Sequence, residues 1–329
     1  MKNKTKILAA AVSVFLLTVI VVLGVNVIRL DSKDAERAAS GKRETESRWK
    51  IEYNGEEHKV GSFVETYLLV GTDNDDSAGS ELAVKRFYNH TQADFIVLLA
   101  VDEDSKKVSA IQINRDTMTD VPWLDVLGRY GGTAFRQIAL AYNSGSGGTD
   151  SLKNTADAVS RLLFGIPVDH SAAFTMTGIN TLNELVGGVT VYVEDDLTPV
   201  DGALQKGSTV TLHGEQAEHF LRARMALADD TNLARMRRHR EYINSFAQSA
   251  KEAMNSDPQI FVNAAEALSP YMVTEMTADE LLHLADCVQK YGISGIRYAE
   301  GELKIGEFYE FYPDMENLWS IVSEVFNIS

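Results

Sequence analysis

Cysteine is almost absent from this chain, whose 329 residues include only Cys287. A single cysteine cannot form an intramolecular disulfide and excludes metal sites built from several cysteines. Basic residues are also few, 31 against 47 acidic ones, and the resulting net charge of −16 argues against a protein that coats nucleic acid. Six prolines, 23 glycines and 45% hydrophobic residues exclude a collagen-like or wholly disordered chain. The composition is that of a globular protein stabilised by packing.

One long hydrophobic run is present, at the N-terminus. Residues 7–28 are uncharged and mostly apolar, and at about 1.5 Å per residue they would reach about 33 Å, enough to cross a bilayer core. A cleaved signal peptide is the alternative, but its apolar region is about 7 to 15 residues long and ends at a small-residue site. Three lysines precede the run. The positive-inside rule therefore predicts a cytoplasmic tail at 1–6, an uncleaved transmembrane anchor at 7–28 and an extracytoplasmic remainder.

The rest of the chain divides into a polar segment and one large domain. Residues 29–60 are charged and short of large apolar residues, which predicts a helical or flexible extracytoplasmic stalk. Residues 61–329 alternate strand-like and helix-like patterns, which predicts a single α/β domain with a central mixed β-sheet and helices on both faces. Thr277 with Glu280 predicts a capping box at the start of one helix, and Gly292 predicts that helix's end.

Two apolar runs predict an antiparallel hairpin. Residues 95–101 and 108–113 flank the polar turn DEDSKK. If Val101 pairs with Val108, every pair of residue numbers sums to 209. Asp94 then lies opposite Arg115, within a residue or two of register, so that an acid and a base meet at the open end of the hairpin.

A second acidic residue is expected near this pair. Asp73 follows a predicted buried strand, and a carboxylate there and at Asp94 would be suitable hard ligands for Mg²⁺. Each alone would more often be a turn or cap residue. Together with Arg115 they predict a site at one edge of the sheet. Asp116 is predicted to orient Arg115, and the alternative is that Asp116 acts as a general base.

Arginine is concentrated in residues 222–240, which carry a net charge of +4 while the rest of the chain carries −20. The planar guanidinium suits phosphate oxygens, so the cluster indicates a phosphorylated ligand, with a solvated basic helix face as the alternative. Arg222 and Arg224 point the same way only on an extended segment, so the preceding helix is expected to end near Leu221. The arginines of this window are Arg222, Arg224, Arg235, Arg237, Arg238 and Arg240.

A helix is predicted to display part of this cluster. If it begins at Thr231, then Arg235, Arg238 and His239 share one face beside an apolar stripe, and Arg237 points elsewhere. Arginines that border a buried stripe need a counter-charge, which a bound anion would supply. His239 is either a phosphate donor or an ordinary histidine on a helix face.

Seven segments carry a resemblance to a known family. They are LLVGTD, QADFIVLLAVD, QINRD, ALAYNSGSGG, LVGGVTV, KGSTVTLHGEQAEHFLRAR and NLARMRRHREYI. In order, and over most of the chain beyond the predicted stalk, they resemble the LytR-CpsA-Psr family. Its members are membrane-anchored, mostly in Gram-positive bacteria, and transfer glycopolymers from a polyprenyl pyrophosphate carrier to peptidoglycan, releasing polyprenyl phosphate. The resemblance implies a transferase of the cell membrane, with these partners and no nucleic acid.

The resemblance also implies roles for particular residues. Asp73 and Asp94 would hold Mg²⁺. The implied pyrophosphate ligands are Arg115, Arg222, Arg224, Arg235 and Arg238.

The sequence departs from the family pattern at four positions. Gln92 stands where an arginine is usual, His239 where a glutamine is usual, and Asn232 where an aspartate is frequent. Gln137 stands at a usual lysine position, where the neighbouring Arg136 would substitute as a substrate ligand. These departures bear on how the substrate is oriented, because both proposed metal carboxylates remain.

Three other functions are considered. A non-catalytic polyprenyl-phosphate carrier would keep the arginine cluster and perform no chemistry. A pyrophosphate hydrolase would use water as the acceptor. A regulator of the cell envelope that binds DNA is disfavoured, since only about six residues precede the predicted membrane span.

Overall fold

The computed structural model describes most of the chain beyond residue 49. No helix among the described residues has the length and apolar character needed to cross a membrane. The predicted tail at 1–6 and anchor at 7–28 lie outside the described residues. The described residues are 50–60, 64–73, 88–125, 127–176, 178–223, 227, 229, 231–256 and 267–328.

The elements alternate along the chain as the sequence predicts. The strands are β1 (Lys50–Tyr53), β2 (Glu56–Lys59), β3 (Val64–Thr72), β4 (Ala93–Asp102), β5 (Lys107–Ile113), β6 (Met118–Leu124), β7 (Tyr130–Gln137), β8 (His170–Thr175), β9 (Val189–Tyr192), β10 (Thr209–Leu212), β11 (Met272–Thr274), β12 (Ile293–Arg297), β13 (Gly301–Ile305) and β14 (Tyr309–Pro313). The α-helices are α1 (Thr149–Leu162), α2 (Gly178–Leu185), α3 (Gln216–Arg222), α4 (Asn232–Ser256), α5 (Ala278–Tyr291) and α6 (Met315–Phe326).

A six-stranded mixed sheet forms the centre of the fold, in the order β11-β8-β3-β4-β5-β12. The β3–β4 and β4–β5 pairs are antiparallel, whereas β3–β8 and β5–β12 are parallel. The prediction of a central mixed sheet is confirmed. The described residues also form four two-stranded ribbons, namely β1–β2, β6–β7, β9–β10 and β13–β14.

Helices cover both faces of this sheet, as the sequence predicts. Successive side chains of a strand point to opposite faces. Ile96 and Leu98 of β4 belong to a core with α1 and α6, while Val97 and Leu99 belong to a second core with α5 and with Ile243 of α4. Because β4 is buried on both faces, it needs the continuous apolar run from which it was predicted. A third core joins α2, α3 and the β9–β10 ribbon to α4.

Residues 50–60 correct the predicted stalk. Instead of a helical or flexible segment, they form the β1–β2 hairpin. Its turn is Asn54-Gly55, with φ angles of 52° and 79°, and Asn-Gly is a strong signal for such a turn. Ile51 and Val60 are buried in the core with α6, and the Tyr53 ring stacks on Trp319 at 4.1 Å. The end of the charged segment is therefore part of the folded domain.

The predicted capping box and Gly292 stop are both present on α5. Thr277 accepts a hydrogen bond from the backbone N–H of Glu280, and the Glu280 carboxylate accepts one from the backbone N–H of Thr277. Gly292 follows the helix with a φ of 68°, a region that favours glycine. The apolar side of α5 is buried on the sheet and includes Cys287.

Thr277→Ala should lower the free energy of unfolding by about 1 kcal/mol, because α5 then loses a side-chain acceptor for its first turn. Urea denaturation of the purified protein would measure the change. Thr209→Ala, at an exposed position of β10, should change this free energy by less than about 0.5 kcal/mol. Equal values for the two variants would show that the capping box does not stabilise α5.

Candidate active site

The site lies at the edge of the central sheet that is formed by the end of β3, the start of β4 and the end of β5. There the β4–β5 hairpin brings an acid close to a base. Val101 pairs with Val108 in the structure, and the pairing continues in the predicted register to Ile96 and Ile113. Beyond this last pair the same register would place Phe95 opposite Asn114 and then Asp94 opposite Arg115, and a side-chain contact joins the latter two residues. The Arg115 Nη1 donates a hydrogen bond to Asp94 Oδ1. The predicted acid–base pair is present.

A second arginine reaches Asp94 from α4. Arg235 Nη1 donates to Asp94 Oδ2 at 2.9 Å, and both side chains are buried. The other guanidinium nitrogens, Nε and Nη2, donate to Asn232 Oδ1 at 3.0 and 2.6 Å. Asn232 in turn donates to Asn114 Oδ1 at 2.7 Å. Each oxygen of the Asp94 carboxylate therefore has an arginine partner, and the neutral Asn232 connects helix and sheet.

Asp73 lies beside this pair because β3 ends where β4 begins. Its Oδ1 accepts a hydrogen bond from the backbone N–H of Gln92 at 2.5 Å, and its own N–H donates to the Gln92 carbonyl at 3.2 Å. The side-chain Oε1 of Gln92 accepts a bond from Arg115. Gln92 thus connects Asp73 to Arg115. The signal in the sequence was its position two residues before Asp94, which places both side chains on one face of an extended segment.

The pKa values of the two carboxylates are shifted in opposite directions. Burial and the nearby charge of Asp94 raise the pKa of Asp73 to about 6. Burial alone would raise the pKa of Asp94 as well, but Arg235 and Arg115 outweigh it and hold that pKa below its usual value. Asp94 is consequently an anion and a weak base, while among the described residues no arginine or lysine forms an ion pair with Asp73.

The remaining predicted acid is Asp116. Its Oδ1 is 3.5 Å from Arg115 Nε, and its side chain is buried. This position agrees with the predicted role of orienting Arg115. A buried carboxylate against a guanidinium is placed to fix the plane of that guanidinium.

Arg222 is the last residue of α3, which ends within one residue of the predicted Leu221. Its Nη1 donates to Glu218 at 2.6 Å, and 41% of its side chain is exposed. The charge of Arg222 acts on both Asp73 and Asp94, since it lowers the pKa of each. It is an accessible cation at the edge of the site. Arg224 lies outside the described residues and stays a prediction.

Arg238 and His239 do not join the group around Asp94, which corrects the expectation that they share a phosphate-facing surface with Arg235. The Arg238 guanidinium donates to the Phe220 and Ala223 carbonyls and to Asp195. His239 Nε2 lies 3.1 Å from the Leu221 carbonyl. The three residues lie on the same side of α4, but this side is broad. Arg235 at one part of it faces the sheet, while Arg238 and His239 face α3.

His239 is held as a neutral ring. Burial, together with the charges of Arg235 and Arg238, lowers its pKa to about 3. A carbonyl only accepts hydrogen bonds, so Nε2 carries the proton and Nδ1 is an acceptor. The ring therefore has no proton on Nδ1 to offer a phosphate. The alternative role in the fold, as a helix-face histidine, agrees better with the structure.

Arg136 and Gln137 lie in the β6–β7 ribbon. Arg136 Nη2 donates to the Pro122 carbonyl at 3.1 Å and to Ser144 Oγ at 3.3 Å. Gln137 Nε2 donates to the Tyr309 carbonyl at 2.5 Å. These contacts hold ribbons together, and they do not support the prediction that Arg136 replaces the family's lysine as a substrate ligand.

An apolar pocket adjoins the charged group, and it encloses about 660 Å³ of empty space counted with its open mouth. Its wall and the charged residues occupy neighbouring positions on the same elements. Gly71 precedes Asp73 by two residues, Phe95 follows Asp94, and Leu221 precedes Arg222. The other lining residues include Leu69, Val70, Ala172, Ala173, Phe174, Met176, Ile179, His239, Tyr242, Ile243 and Met272.

The donor set at the sheet edge fits Mg²⁺. No group of three or more His, Cys, Asp or Glu side chains in the described part of the chain is arranged to hold a metal, so a cation here would rest on Asp73 and Asp94. Two carboxylates, completed by water and substrate phosphate, are a usual protein contribution to a Mg²⁺ site. Each carboxylate oxygen has two acceptor positions, so the arginine contacts of Asp94 leave room for a cation. A cation would also offset the burial and the charge of Asp94 that together raise the pKa of Asp73.

The described residues therefore form an α/β domain in which an acid–arginine group lies beside an apolar pocket. The chain belongs to the LytR_cpsA_psr family, whose model matches residues 25–319. The sequence resemblance is thereby confirmed.

Two curated relatives are similar to parts of the chain. It is 28% identical over 254 residues to the cell wall biosynthesis protein LcpA of Corynebacterium glutamicum, covering 70% of this chain and 48% of LcpA. It is 25% identical over 221 residues to the polyisoprenyl-teichoic acid–peptidoglycan teichoic acid transferase TagU of Enterococcus faecalis, covering 66% of this chain and 63% of TagU. The matched part thus covers about half of LcpA and just under two thirds of TagU.

Solved structures share the fold. Bacillus subtilis TagV has a TM-score of 0.56 at 21% identity, covering 80% of this chain and 98% of TagV. A structure of TagT bound to LI-WTA has a TM-score of 0.59 at 20% identity, covering 88% of this chain and 97% of TagT. These similarities show a common architecture.

His239→Gln should make the stability less dependent on pH below neutrality. Between pH 6.5 and about 3 the unfolded state gains a proton on His239 that the folded state excludes, so the free energy of unfolding falls by roughly 1 kcal/mol per pH unit. Glutamine removes this proton uptake and retains a donor for the Leu221 carbonyl. Urea denaturation between pH 7 and 4 would measure the two slopes.

The control for this experiment is His213→Gln, because 58% of the His213 side chain is exposed. It should leave the slope of the wild-type protein unchanged. Parallel curves for His239→Gln and the wild type would contradict a neutral, buried His239.

Proposed function

We propose that this chain is a membrane-anchored phosphotransferase that moves a glycopolymer from a polyprenyl pyrophosphate carrier to a sugar hydroxyl of peptidoglycan. The observation that carries the proposal is the contact between an arginine–carboxylate group and an apolar pocket. Membership of the LytR_cpsA_psr family supports it, as does the transferase name of the relative TagU. Under this proposal the domain works at the outer surface of the cell membrane of a Gram-positive bacterium.

The site has an apolar part and a charged part, and so has the proposed donor. A prenyl pyrophosphate has an apolar chain joined directly to a polyanion. At three places in the chain a residue that lines the pocket is next, or next but one, to a charged residue of the site. These pairs are Gly71 and Asp73, Phe95 and Asp94, and Leu221 and Arg222. A chain in the pocket would therefore hold its pyrophosphate against the carboxylates and arginines. Burial of the chain contributes affinity, and the charged groups fix the position of the reacting phosphorus.

Each charged side chain of the site has its own role toward the pyrophosphate in this proposal. Arg222 is exposed enough to meet the entering anion. Arg115 and Arg235 hold Asp94 ionised, and Asp116 fixes Arg115. In this proposal Asp73 and Asp94 hold Mg²⁺, which supplies positive charge to neutralise phosphate oxygens during transfer. Arg224 is proposed as a further ligand on the strength of the family resemblance.

The reaction forms one bond and breaks another at the same phosphorus. The acceptor hydroxyl oxygen attacks the phosphorus that carries the glycan, the bond from this phosphorus to the bridging oxygen breaks, and polyprenyl phosphate leaves with the electron pair. The hydroxyl proton is released to solvent or base. Asp94 is a poor candidate for that base, because both of its oxygens accept from arginine and its pKa is lowered. Positioning and charge stabilisation supply most of the catalysis in such transfers.

The proposal is tested by incubating the full-length protein with a lipid pyrophosphate-linked glycan, peptidoglycan and Mg²⁺. Transfer predicts that polyprenyl phosphate and glycan-modified peptidoglycan appear together. A carrier would bind the lipid and release no polyprenyl phosphate. A hydrolase would release it equally fast without peptidoglycan, and either result would refute the transferase.

Asp73→Asn should raise the Mg²⁺ concentration needed for half-maximal turnover by roughly tenfold or more, because one of the two proposed carboxylate ligands loses its charge. Turnover at a series of Mg²⁺ concentrations would measure the shift, with Asp125→Asn, on the β6–β7 turn, as the control. An unchanged Mg²⁺ dependence would remove Asp73 from the proposed metal site.

Met272→Asp should weaken the binding of long prenyl chains selectively. Met272 lines the pocket and is partly exposed, so the new carboxylate enters the apolar wall without the full cost of a buried charge. The wild-type affinity should rise by at least about tenfold from geranyl to farnesyl pyrophosphate, because even partial burial of the five added carbons contributes about 0.8 kcal/mol for each CH₂ group, and the variant should lose this increase. Calorimetric titration would measure both ligands.

The matched control is Met315→Asp, since Met315 is 45% exposed on α6 and does not line the pocket. It should bind both prenyl pyrophosphates as the wild type does. A wild-type affinity that is independent of chain length would show that the pocket does not hold the lipid.

A further inference from the structure

The end of α3 is held by side chains of α4. The last carbonyl groups of a helix have no partners within that helix and must find them elsewhere. Arg238 Nε donates to the Phe220 carbonyl at 3.0 Å, and its Nη2 donates to the Ala223 carbonyl. His239 Nε2 donates to the Leu221 carbonyl at 3.1 Å. Two adjacent residues of α4 thus satisfy three carbonyls at the end of α3.

A third partner completes this contact. Arg238 Nη1 donates to Asp195 Oδ2 at 3.1 Å, and Asp195 follows the strand β9. The Arg238 side chain is only 3% exposed, whereas that of Asp195 is 22% exposed. Each of the three guanidinium nitrogens therefore has a protein acceptor. A cation here also complements the negative end of the α3 dipole.

Arg222 lies within the stretch of backbone that these contacts fix. It is the last residue of α3, between the carbonyls of Leu221 and Ala223. Its Nη1 donates to Glu218 at 2.6 Å, and its charge is close enough to Asp73 and Asp94 to lower the pKa of each. The position of the accessible arginine at the site is consequently set by the backbone that Arg238 holds.

We propose that Arg238 and Asp195 are positioning residues that hold Arg222 at the phosphate site, and that Arg238 does not itself bind the phosphate. The inference rests on the proposed function and assigns a different role to Arg238 from that implied by the family resemblance. To reach a phosphate, Arg238 would have to leave two backbone carbonyls unpaired and separate from Asp195. The loss of these buried contacts opposes such a movement.

A double-mutant cycle with farnesyl pyrophosphate as the probe separates positioning from direct contact. Arg222→Ala and Arg238→Met should each weaken binding by about tenfold, the range expected for loss of one charge-assisted contact. If Arg238 acts through Arg222, the double variant should be no weaker than about tenfold, because Arg222 is already absent. Independent contacts would instead give about a hundredfold loss, and that result would overturn the proposal.

Asp195→Asn provides a second test, because positioning and direct phosphate binding predict different changes in affinity for this variant. If Asp195 positions Arg222 through Arg238, its loss should weaken binding about threefold or more. If Arg238 binds phosphate directly, removing a competing carboxylate should leave the affinity unchanged or increase it. An unchanged or higher affinity would therefore overturn the proposal even if Arg238→Met fails to fold. Arg238→Lys, which keeps the charge and loses the fork, should stay weakened like Arg238→Met.

The full-length protein is used throughout, at fixed salt, with thermal unfolding recorded for each variant. Arg161→Met is the control, since Arg161 forms an exposed pair with Asp157 on α1 and should bind as the wild type does. Failure of the wild type to bind farnesyl pyrophosphate would overturn the proposed function and this inference with it. Wild-type binding with additive losses would overturn the inference alone.

Discussion

The buried carboxylate of Asp94, shared between two guanidinium groups, is the interaction on which the site depends. One arginine, Arg115, lies two residues beyond the end of the neighbouring strand β5, and the other, Arg235, lies on α4. A buried anion with both partners in place is tolerated, whereas removal of one partner leaves a charge uncompensated. The pair of contacts therefore fixes the start of α4 against the sheet edge, and with it the wall of the apolar pocket that α4 completes.

The neutral side chains around this ionic group determine what else the site can accept. Gln92 and Asn232 connect Asp73, the arginines and the sheet without adding charge. Asp73 has a raised pKa, and in the described part of the chain its carboxylate accepts from the Gln92 backbone where that of Asp94 accepts from arginines. The structure thus satisfies one acid internally and leaves the other able to respond to a ligand. Under the proposed function, this difference between two neighbouring aspartates is what would let the site take a cation.

The sequence predicted the sheet edge because register is a local property. One pairing, Val101 with Val108, determines every later pair of the hairpin as far as Ile96 and Ile113, and the same register extended by two positions predicts the side-chain contact between Asp94 and Arg115. Arg238 was not predictable in the same way, since its partners lie on α3 and after β9, and helical spacing specifies a face but no neighbour. The apolar pocket was equally hidden, because its lining residues read as ordinary core. The β1–β2 hairpin was missed although its Asn-Gly turn was visible in the charged segment.

The two contacts of Asp94 differ greatly in the length of chain between the partners. Arg115 is 21 residues away, within one hairpin, whereas Arg235 is 141 residues away. Contacts close in sequence form at a lower entropic cost than distant ones, so the hairpin pair can assemble early in folding. The long-range contact requires that the sheet and α4 have already come together. We therefore expect that a chain interrupted before α4 can fold its acid–base hairpin and yet has no complete site, which ties function to the last stage of folding.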